Sequence, residues 1–392
     1  MKWNRCSWVF LLLVLFLTGC TTTTLFTGKD SRKPSEAPLI IRVLVDKEAQ
    51  TYVFDIKDGF IEHQGGRALL PEHNRVDLYD THVILNGADL QTPVTITGSA
   101  PILLNGHPYK GAIRIEKGFI VNELPIEEYL KGVLSSEMSE KWPLEALKAQ
   151  AVASRTYAYI KSIQNRNQPF DLESTETHQK YEYVEETAQI QLAVAKTRSL
   201  IILHKGEPVE VFFHASSGGV TESCGDVFQV DLPYLRSFPD PYSRTHQGVL
   251  WTVKKSGQEI KSAVKGMLGE GFEALTIRDI TPASRTGSGR VKEFVLLFDE
   301  NRQATVSGNL FRLALDARLF RSLLILEIQK EMGEGDVVFT FTGLGYGHGV
   351  GLSQWGARNM ALQGFSFEHI ISYYFKGTEI SDYHFFPRAE KS

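Results

Sequence analysis

Glu127-Glu128-Tyr129-Leu130-Lys131-Gly132-Val133-Leu134-Ser135-Ser136-Glu137-Met138, followed by Trp142-Pro143-Leu144-Glu145-Ala146-Leu147-Lys148-Ala149-Gln150-Ala151-Val152-Ala153-Ser154-Arg155-Thr156-Tyr157, is the stretch around which the chain can be read. Pro143 suits the first position of a helix, where its missing N–H would be unpaired in any case. Leu144, Leu147, Ala151, Ser154 and Ala158 then give that helix a narrow face of small residues suited to close packing. Glu137 lies just upstream, between Val133-Leu134 and Met138 with Trp142. A carboxyl group desolvated by such neighbours keeps its proton to higher pH, as a general acid must. On its residues alone, Glu137 reads first as a solvated glutamate near a helix start.

The segment closely resembles the signature of the SpoIID/LytB family, whose enzymes are peptidoglycan lytic transglycosylases. By that resemblance the family's acid, the Glu of a Ser-Glu-Met step, falls on Glu137. The likeness runs from about residue 110 to about 380, with weaker steps at Pro233-Tyr234-Leu235, Ser288-Gly289-Arg290-Val291 and Ser307-Gly308 with Arg312.

The 392 residues carry 42% hydrophobic and 22% charged side chains, the composition of a globular protein of one large or two smaller domains. A net charge of −4 and the lack of a basic, aromatic-interleaved patch argue against nucleic acid as a partner. At the N-terminus, Lys2 and Arg5 precede an unbroken apolar run from Trp8 to Leu17, too short to span a bilayer and fitting a secretory signal. Leu17-Thr18-Gly19-Cys20 resembles the bacterial lipobox, which implies a signal over residues 1–19 and a lipid anchor on Cys20. Residues 20–38, rich in Thr, Ser, Lys and Pro, read as a flexible tether. The expected location is the cell-wall side of a membrane. Thr21, where an inner-membrane retention Asp would sit, favours the outer membrane in a double-membraned bacterium. After processing only Cys224 remains in the body, so no internal disulfide is available, and Cys224 reads as a small buried apolar residue.

Residues 39–110 read as a β-rich region of short strands, with Asn86-Gly87 and Asn105-Gly106 as turns. Residues 111–385 form the expected catalytic domain. Pro125 opens its first helix, Gly132 lies near the end of that helix, and Lys205-Gly206 turns a later hairpin. Helices are expected at Ile260 to Met267 and Leu310 to Phe320, among strands at 274–281, 290–298 and 323–329.

A second signal is Gly343-Leu344-Gly345-Tyr346-Gly347-His348-Gly349-Val350-Gly351-Leu352-Ser353-Gln354-Trp355-Gly356-Ala357. Glycine at every second position of an extended segment strips one face to backbone, permitting close approach of another backbone or of a flat ligand such as a sugar ring. Neither phosphate-loop spacing is met. Ser353 suits an N-cap, and Gly364 closes a helix running from Gln354 to Gln363. The stretch matches the family's second signature, and the resemblance implies that His348, Ser353 and Gln354 line the groove near the acid.

Other family-like stretches surround Phe170 to Tyr181 and Phe212 to Thr221. Some family members bind zinc through thiols in the first, but Glu173 and Gln179 stand at those positions here, so no metal or other cofactor is expected. Arg155, His178, Gln179, Tyr181 and His214 complete the substrate-binding candidates. A thiol peptidase built on Cys224 and His214 lacks any basic or helix-N-terminal setting to lower the thiol pKa.

The expected fold is α+β, a mostly antiparallel body whose helices carry the two signatures around an elongated glycan-binding groove. The implied reaction cleaves the β-1,4 bond of peptide-stripped peptidoglycan strands, with an amidase as the implied upstream partner. The rival reading is a non-catalytic enhancer of such an amidase. Cys20→Ser should block lipid modification and leave the precursor uncleaved at that point. Release of the unmutated protein from membranes by high salt alone would count against the anchor, because acyl burial does not respond to ionic screening.

Overall fold

Alternation and turn chemistry build the first part of the body. In the strand Thr51–Asp55, Tyr52 and Phe54 are buried while Thr51 and Val53 face solvent. Asn86-Gly87, Asn105-Gly106 and Lys205-Gly206 each place two successive residues at positive φ (51° and 88°, 48° and 80°, 55° and 82°). This backbone matches the twist of a two-residue hairpin, and each pair joins antiparallel partners. The computed structural model describes residues 38–47, 50–174, 179, 181–183, 186–244, 249–333 and 335–386. The expected signal, Cys20, nearly all of the tether and His178 lie outside them.

Short strands form throughout the β-rich region expected at residues 39–110. They assemble with others into a seven-stranded sheet (Leu172–Glu173, Ile40–Asp46, Phe119–Pro125, Ala112–Glu116, Val94–Thr97, Phe60–His63, Gly66–Leu69) and a six-stranded one centred on Thr51–Asp55 and His73–Leu78. Tyr52, Phe54, Ile61, Val76, Val94, Ile96, Ile113 and Ile115 belong to their shared core. Among the strands not expected, His73–Leu78 is central and buries Asn74, Val76 and Leu78, whereas Gly66–Leu69, at a sheet edge, is exposed at every position. Such a strand has no buried face and so no alternation to detect. The ladder does not stop near residue 110. Ala112–Glu116 pairs with Val94–Thr97 on one side and Phe119–Pro125 on the other.

Phe119–Pro125 delivers the chain directly into the helix Ile126–Glu137. Gly132 does not end this helix. A Cβ there would lie 2.7 Å from the Glu182 carbonyl oxygen and 2.8 Å from the Tyr181 ring, so the glycine admits the loop packed across it. The helix runs on to Glu137, and Met138 leaves it in extended backbone. Pro143 sits one position before the helix Leu144–Gln164, its carbonyl accepting from Ala146 and Leu147. This helix is buried far beyond the narrow face read from its sequence: Gln150, Arg155 and Thr156 are as inaccessible as Leu147 and Ala151.

The Arg155 guanidinium donates to both carboxylate oxygens of Glu127, at 3.0 and 2.7 Å, and to the Leu200 carbonyl at 3.2 Å. The Ser199 amide donates to the same carboxylate. The pair thus joins the first helix, the long helix and the strand Leu200–His204.

Residues 250–344 add a separate core, built on Trp251, Ile260, Phe294, Phe311, Phe320, Phe339 and Phe341. Leu250–Ser256, Val337–Leu344 and Leu324–Met332 form one three-stranded sheet, and Ile277–Arg285, Val291–Phe298 and Gln303–Ser307 another. The helix expected at Leu310 to Phe320 is shorter, Gly308–Ala314, and Asp316 beyond it adopts φ 72°. The fold is α+β with mostly antiparallel sheets. A short parallel pair, Phe213–His214 with Leu352–Ser353, returns the chain from this insertion to the helical body.

Removing the Glu127 carboxylate strands a buried cation, which typically costs about 3–5 kcal/mol. Glu127→Ala should therefore lower the urea midpoint by a corresponding amount with the m-value unchanged. A wild-type midpoint would show that the pair does not hold these elements.

Candidate functional site

Glu137 ends its helix above a floor of fully buried Val133 and Leu134, and is itself partly exposed. The helix C-terminus gathers the partial negative charge of unpaired carbonyls, a setting that disfavours a second negative charge. The Gln354 side-chain amide donates to Glu137 Oε2 at 3.3 Å across 217 positions of sequence. This contact joins the two signature segments.

Gln354 begins the helix Gln354–Leu362, and Ser353 caps it by accepting from the Gly356 amide at 3.3 Å. Ser353 Oγ also accepts from the Ser217 amide and lies 2.6 Å from Ser243 Oγ. Behind it, Asp240 is fully buried and accepts from Ser217 Oγ, Ser243 Oγ and the Tyr374 hydroxyl. Three donors satisfy a carboxylate that would otherwise be costly to bury. Ser353 therefore acts as a cap within this network and has no accessible surface for a substrate. Sequence reading missed Asp240 and Tyr374, because nothing in a lone Asp before a Pro signals a buried partner set.

Beneath Glu137, the Tyr129 hydroxyl donates to Gln179 Oε1 at 2.8 Å. Burial, with smaller contributions from Tyr157, Tyr181 and Glu137, pushes the Tyr129 phenol well above its ordinary pKa, so it stays a donor. Gln179 is fully buried, and its amide faces the Ser154 carbonyl at 3.4 Å. Tyr181 packs its ring 5.2 Å from that of Tyr129 and donates to Asn122 Oδ1 at 2.9 Å. Gln179 and Tyr181 thus support the acid helix from below. Arg155 is not brought to the site: its guanidinium is enclosed with Glu127, and that pairing replaces the substrate contact expected of it.

The two histidines flank one peptide group. His214 Nδ1 donates to the Val350 carbonyl at 3.1 Å, while the Val350 amide donates to His348 Nδ1 at 3.0 Å. Their rings are 5.5 Å apart. Burial, together with nearby cationic groups, holds His214 well below the ordinary imidazole range and lowers His348 to about 4. Both are neutral at physiological pH, and both brace the glycine-rich loop. His348 also borders a cavity of about 350 Å³ lined by Glu222, Arg290 and Arg312 among others. Cys224 is buried, its thiol pushed up to about 11 by desolvation, which opposes thiolate chemistry. Among the described residues, no group of three or more His, Cys, Asp or Glu could hold a metal ion.

The alternate glycines face protein rather than an open groove. Gly345, Gly347, Gly349 and Gly351 all have positive φ, so the segment is a chain of turns, not an extended strand. A Cβ on Gly345 would lie 2.7 Å from the Ser216 carbonyl oxygen, and one on Gly351 2.1 Å from that of Phe212. Protein takes the place a ligand could have had: backbone at Gly345 and Gly351, and the His214 and Arg290 side chains at Gly347 and Gly349.

On the solvent side of Gln354, the Trp142 and Trp355 rings lie 4.9 Å apart, both partly exposed. Arg358 lies over both, 5.9 and 5.2 Å from their centroids. Trp142 was read only as an apolar neighbour of Glu137, and Arg358 was not singled out.

A family model described as stage II sporulation protein (SpoIID) matches residues 116–204, and one for a domain of unknown function matches residues 229–351, largely the inserted core. An uncharacterized protein of Brachyspira hyodysenteriae is 36% identical over 286 residues, covering 71% of this chain and 74% of that protein. Stage II sporulation protein D of Bacillus amyloliquefaciens is 31% identical over 278 residues, covering 67% and 76%. The amidase enhancer of Bacillus subtilis is 28% identical over 298 residues, covering 65% of this chain and 40% of its own length.

Gly349 tests the packing of the loop. Its φ is 86°, and a Cβ there would lie 2.5 Å from the guanidinium carbon of Arg290. Gly349→Val should destabilise the fold by roughly 2 kcal/mol or more, through left-handed strain and overpacking. A denaturation midpoint equal to wild type would return this face to solvent and to ligand.

Proposed function

The chain belongs to the stage II sporulation protein D family, and from that premise we propose that it acts on the bacterial cell wall as a lytic transglycosylase. The observation that carries this reading is the Glu137 carboxyl group, partly exposed at a helix end and held by Gln354 from the second signature. In the proposed reaction Glu137 protonates the oxygen bridging N-acetylmuramic acid to N-acetylglucosamine as the C1–O bond breaks. The resulting carboxylate then takes the proton of the muramyl C6 hydroxyl, whose oxygen closes on C1. The proton leaves and returns to one side chain, and a 1,6-anhydro ring results. Because the nucleophile belongs to the sugar, the second carboxylate of the paired-acid glycosidases has no task here.

The donor from Gln354 fixes one carboxylate oxygen in place, and the packed helix beneath fixes the other end of the side chain. Such positioning is what general acid–base catalysis requires before any tuning of acidity. Peptide-stripped glycan strands are the proposed substrate, with a cell-wall amidase as functional partner. The signal would export the chain, and the lipid on Cys20 would tether the processed enzyme on the cell-wall side of a membrane. The amidase enhancer among the relatives supports a second reading, in which the chain stimulates an amidase and cleaves nothing itself.

Glu137→Gln should retain the fold while cutting turnover by roughly 10²–10⁴-fold. Mass spectrometry of peptide-free strands should show 1,6-anhydro-muramyl ends with the unmutated protein and no added amidase. Ends formed at the same rate by Glu137→Gln would remove this residue from the mechanism. Absence of any such ends, with faster amidase action on intact sacculi by both proteins, would establish the enhancer instead.

A further inference from the structure

The shelf beside Glu137 holds a cation that faces no carboxylate among the described residues. Arg358 donates to Asn359 Oδ1 at 3.2 Å, and its Nε is buried without a hydrogen-bond partner. Among the described residues, none of the ion pairs includes Arg358, whereas Arg42, Arg155 and Arg278 each face a carboxylate. Its guanidinium lies over the two packed indole rings, and the residue is partly exposed. Gln354 and Arg358 are four residues apart on one helix, and therefore on one face, about one turn or ~5.4 Å along the axis. Gln354 touches the acid, so Arg358 stands at roughly one sugar ring's remove from it along that face.

This combination has a definite ligand chemistry. An indole face takes the apolar C–H face of a pyranose, and a guanidinium whose Nη2 is not engaged by the described residues, as in Arg358, takes a carboxylate through charge-assisted hydrogen bonds. We infer that Trp142, Trp355 and Arg358 form a subsite for an acidic sugar, in which Arg358 binds a free carboxylate on the ring seated against the two indoles. The inference rests on the glycan-cleaving reading for its substrate. In a peptidoglycan strand the carboxylate of that description is the lactyl group of muramic acid. While the stem peptide is attached, that group is a neutral amide. Hydrolysis of the amide exposes the anion, so the subsite makes prior amide cleavage a condition of tight binding. Arg358 is then a specificity-determining residue that takes no part in bond breaking.

Binding measured without turnover separates the two claims. The mature chain carrying Glu137→Gln would be titrated calorimetrically with peptide-free glycan strands, and with the same strands after methyl esterification of their carboxyl groups. The free-acid strands should bind roughly 10- to 100-fold more tightly, as expected for a hydrogen-bonded ion pair. Adding Arg358→Gln should close that gap by weakening only the free-acid strands, with the thermal midpoint unchanged, while Arg358→Lys should keep part of it. Equal affinity for the two strands in the parent, or a gap that survives Arg358→Gln, would overturn the subsite. Failure of the parent to bind either strand would overturn the glycan-cleaving reading itself.

Discussion

The helix Leu144–Gln164 has almost no surface to give to solvent, and the rest of the helical body is arranged around that constraint. It packs against the acid helix, Ala188–Lys196, Leu200–His204 and both C-terminal helices. Elements can approach a helix from several sides only if its side chains are small, and Ala146, Ala149, Ala151, Ala153 and Ala158 supply that narrowness. The polar residues in the same helix must then be satisfied internally. Arg155 uses Glu127 and the Leu200 carbonyl, Thr156 bonds back to Val152, and Ser154 accepts from Gln150. The acid is placed by this packing: Glu137 and Gln354 come from helices that share the long helix as a common neighbour.

Around the site, charge is distributed with some economy. Asp240 is buried among three donors, the two histidines are kept neutral, and the Arg290 guanidinium donates to the carbonyls of Val220 and Ser217 and to Ser288. These groups hold the glycine-rich loop and the cap of the Gln354 helix in one arrangement. Glu137 and Arg358, by contrast, are partly exposed, and the Arg358 guanidinium lies over two indole rings. That difference in exposure is what separates the bracing residues from those a ligand can reach.

The inserted core of residues 250–344 has its own sheets and aromatic cluster, yet it ends in the second signature. Its last strand, Val337–Leu344, runs directly into the glycine turns, and Arg290 reaches from this core to the Val220 and Ser217 carbonyls of the body. The insertion thus leads into the loop and is tied to the body beside it. Arg290 on the Val220 and Ser217 carbonyls, with Thr286 and Ser288 donating to Glu222, forms the seam where the two parts meet.

Much of this was legible along the chain, for local reasons. Asn-Gly and Lys-Gly between two strands favour the positive φ of a hairpin turn, alternation reports a half-buried strand, and Ser353 with Gly364 brackets a helix by cap chemistry alone. The two signature stretches marked Glu137 and Gln354 as residues to watch. What the sequence could not determine was partnership. Arg155 and Arg358 are the same residue type on helices of similar appearance, yet one is enclosed by a carboxylate 28 positions earlier and the other is left against two indoles. The alternate glycines likewise admit a ligand or a backbone on equal terms until Phe212 and Ser216 occupy the space. Local backbone preference is a property of neighbouring residues, so the sequence alone determines it. Whether a charge is neutralised or a bare face is covered depends on segments brought together from hundreds of positions away, and only the tertiary structure decides that.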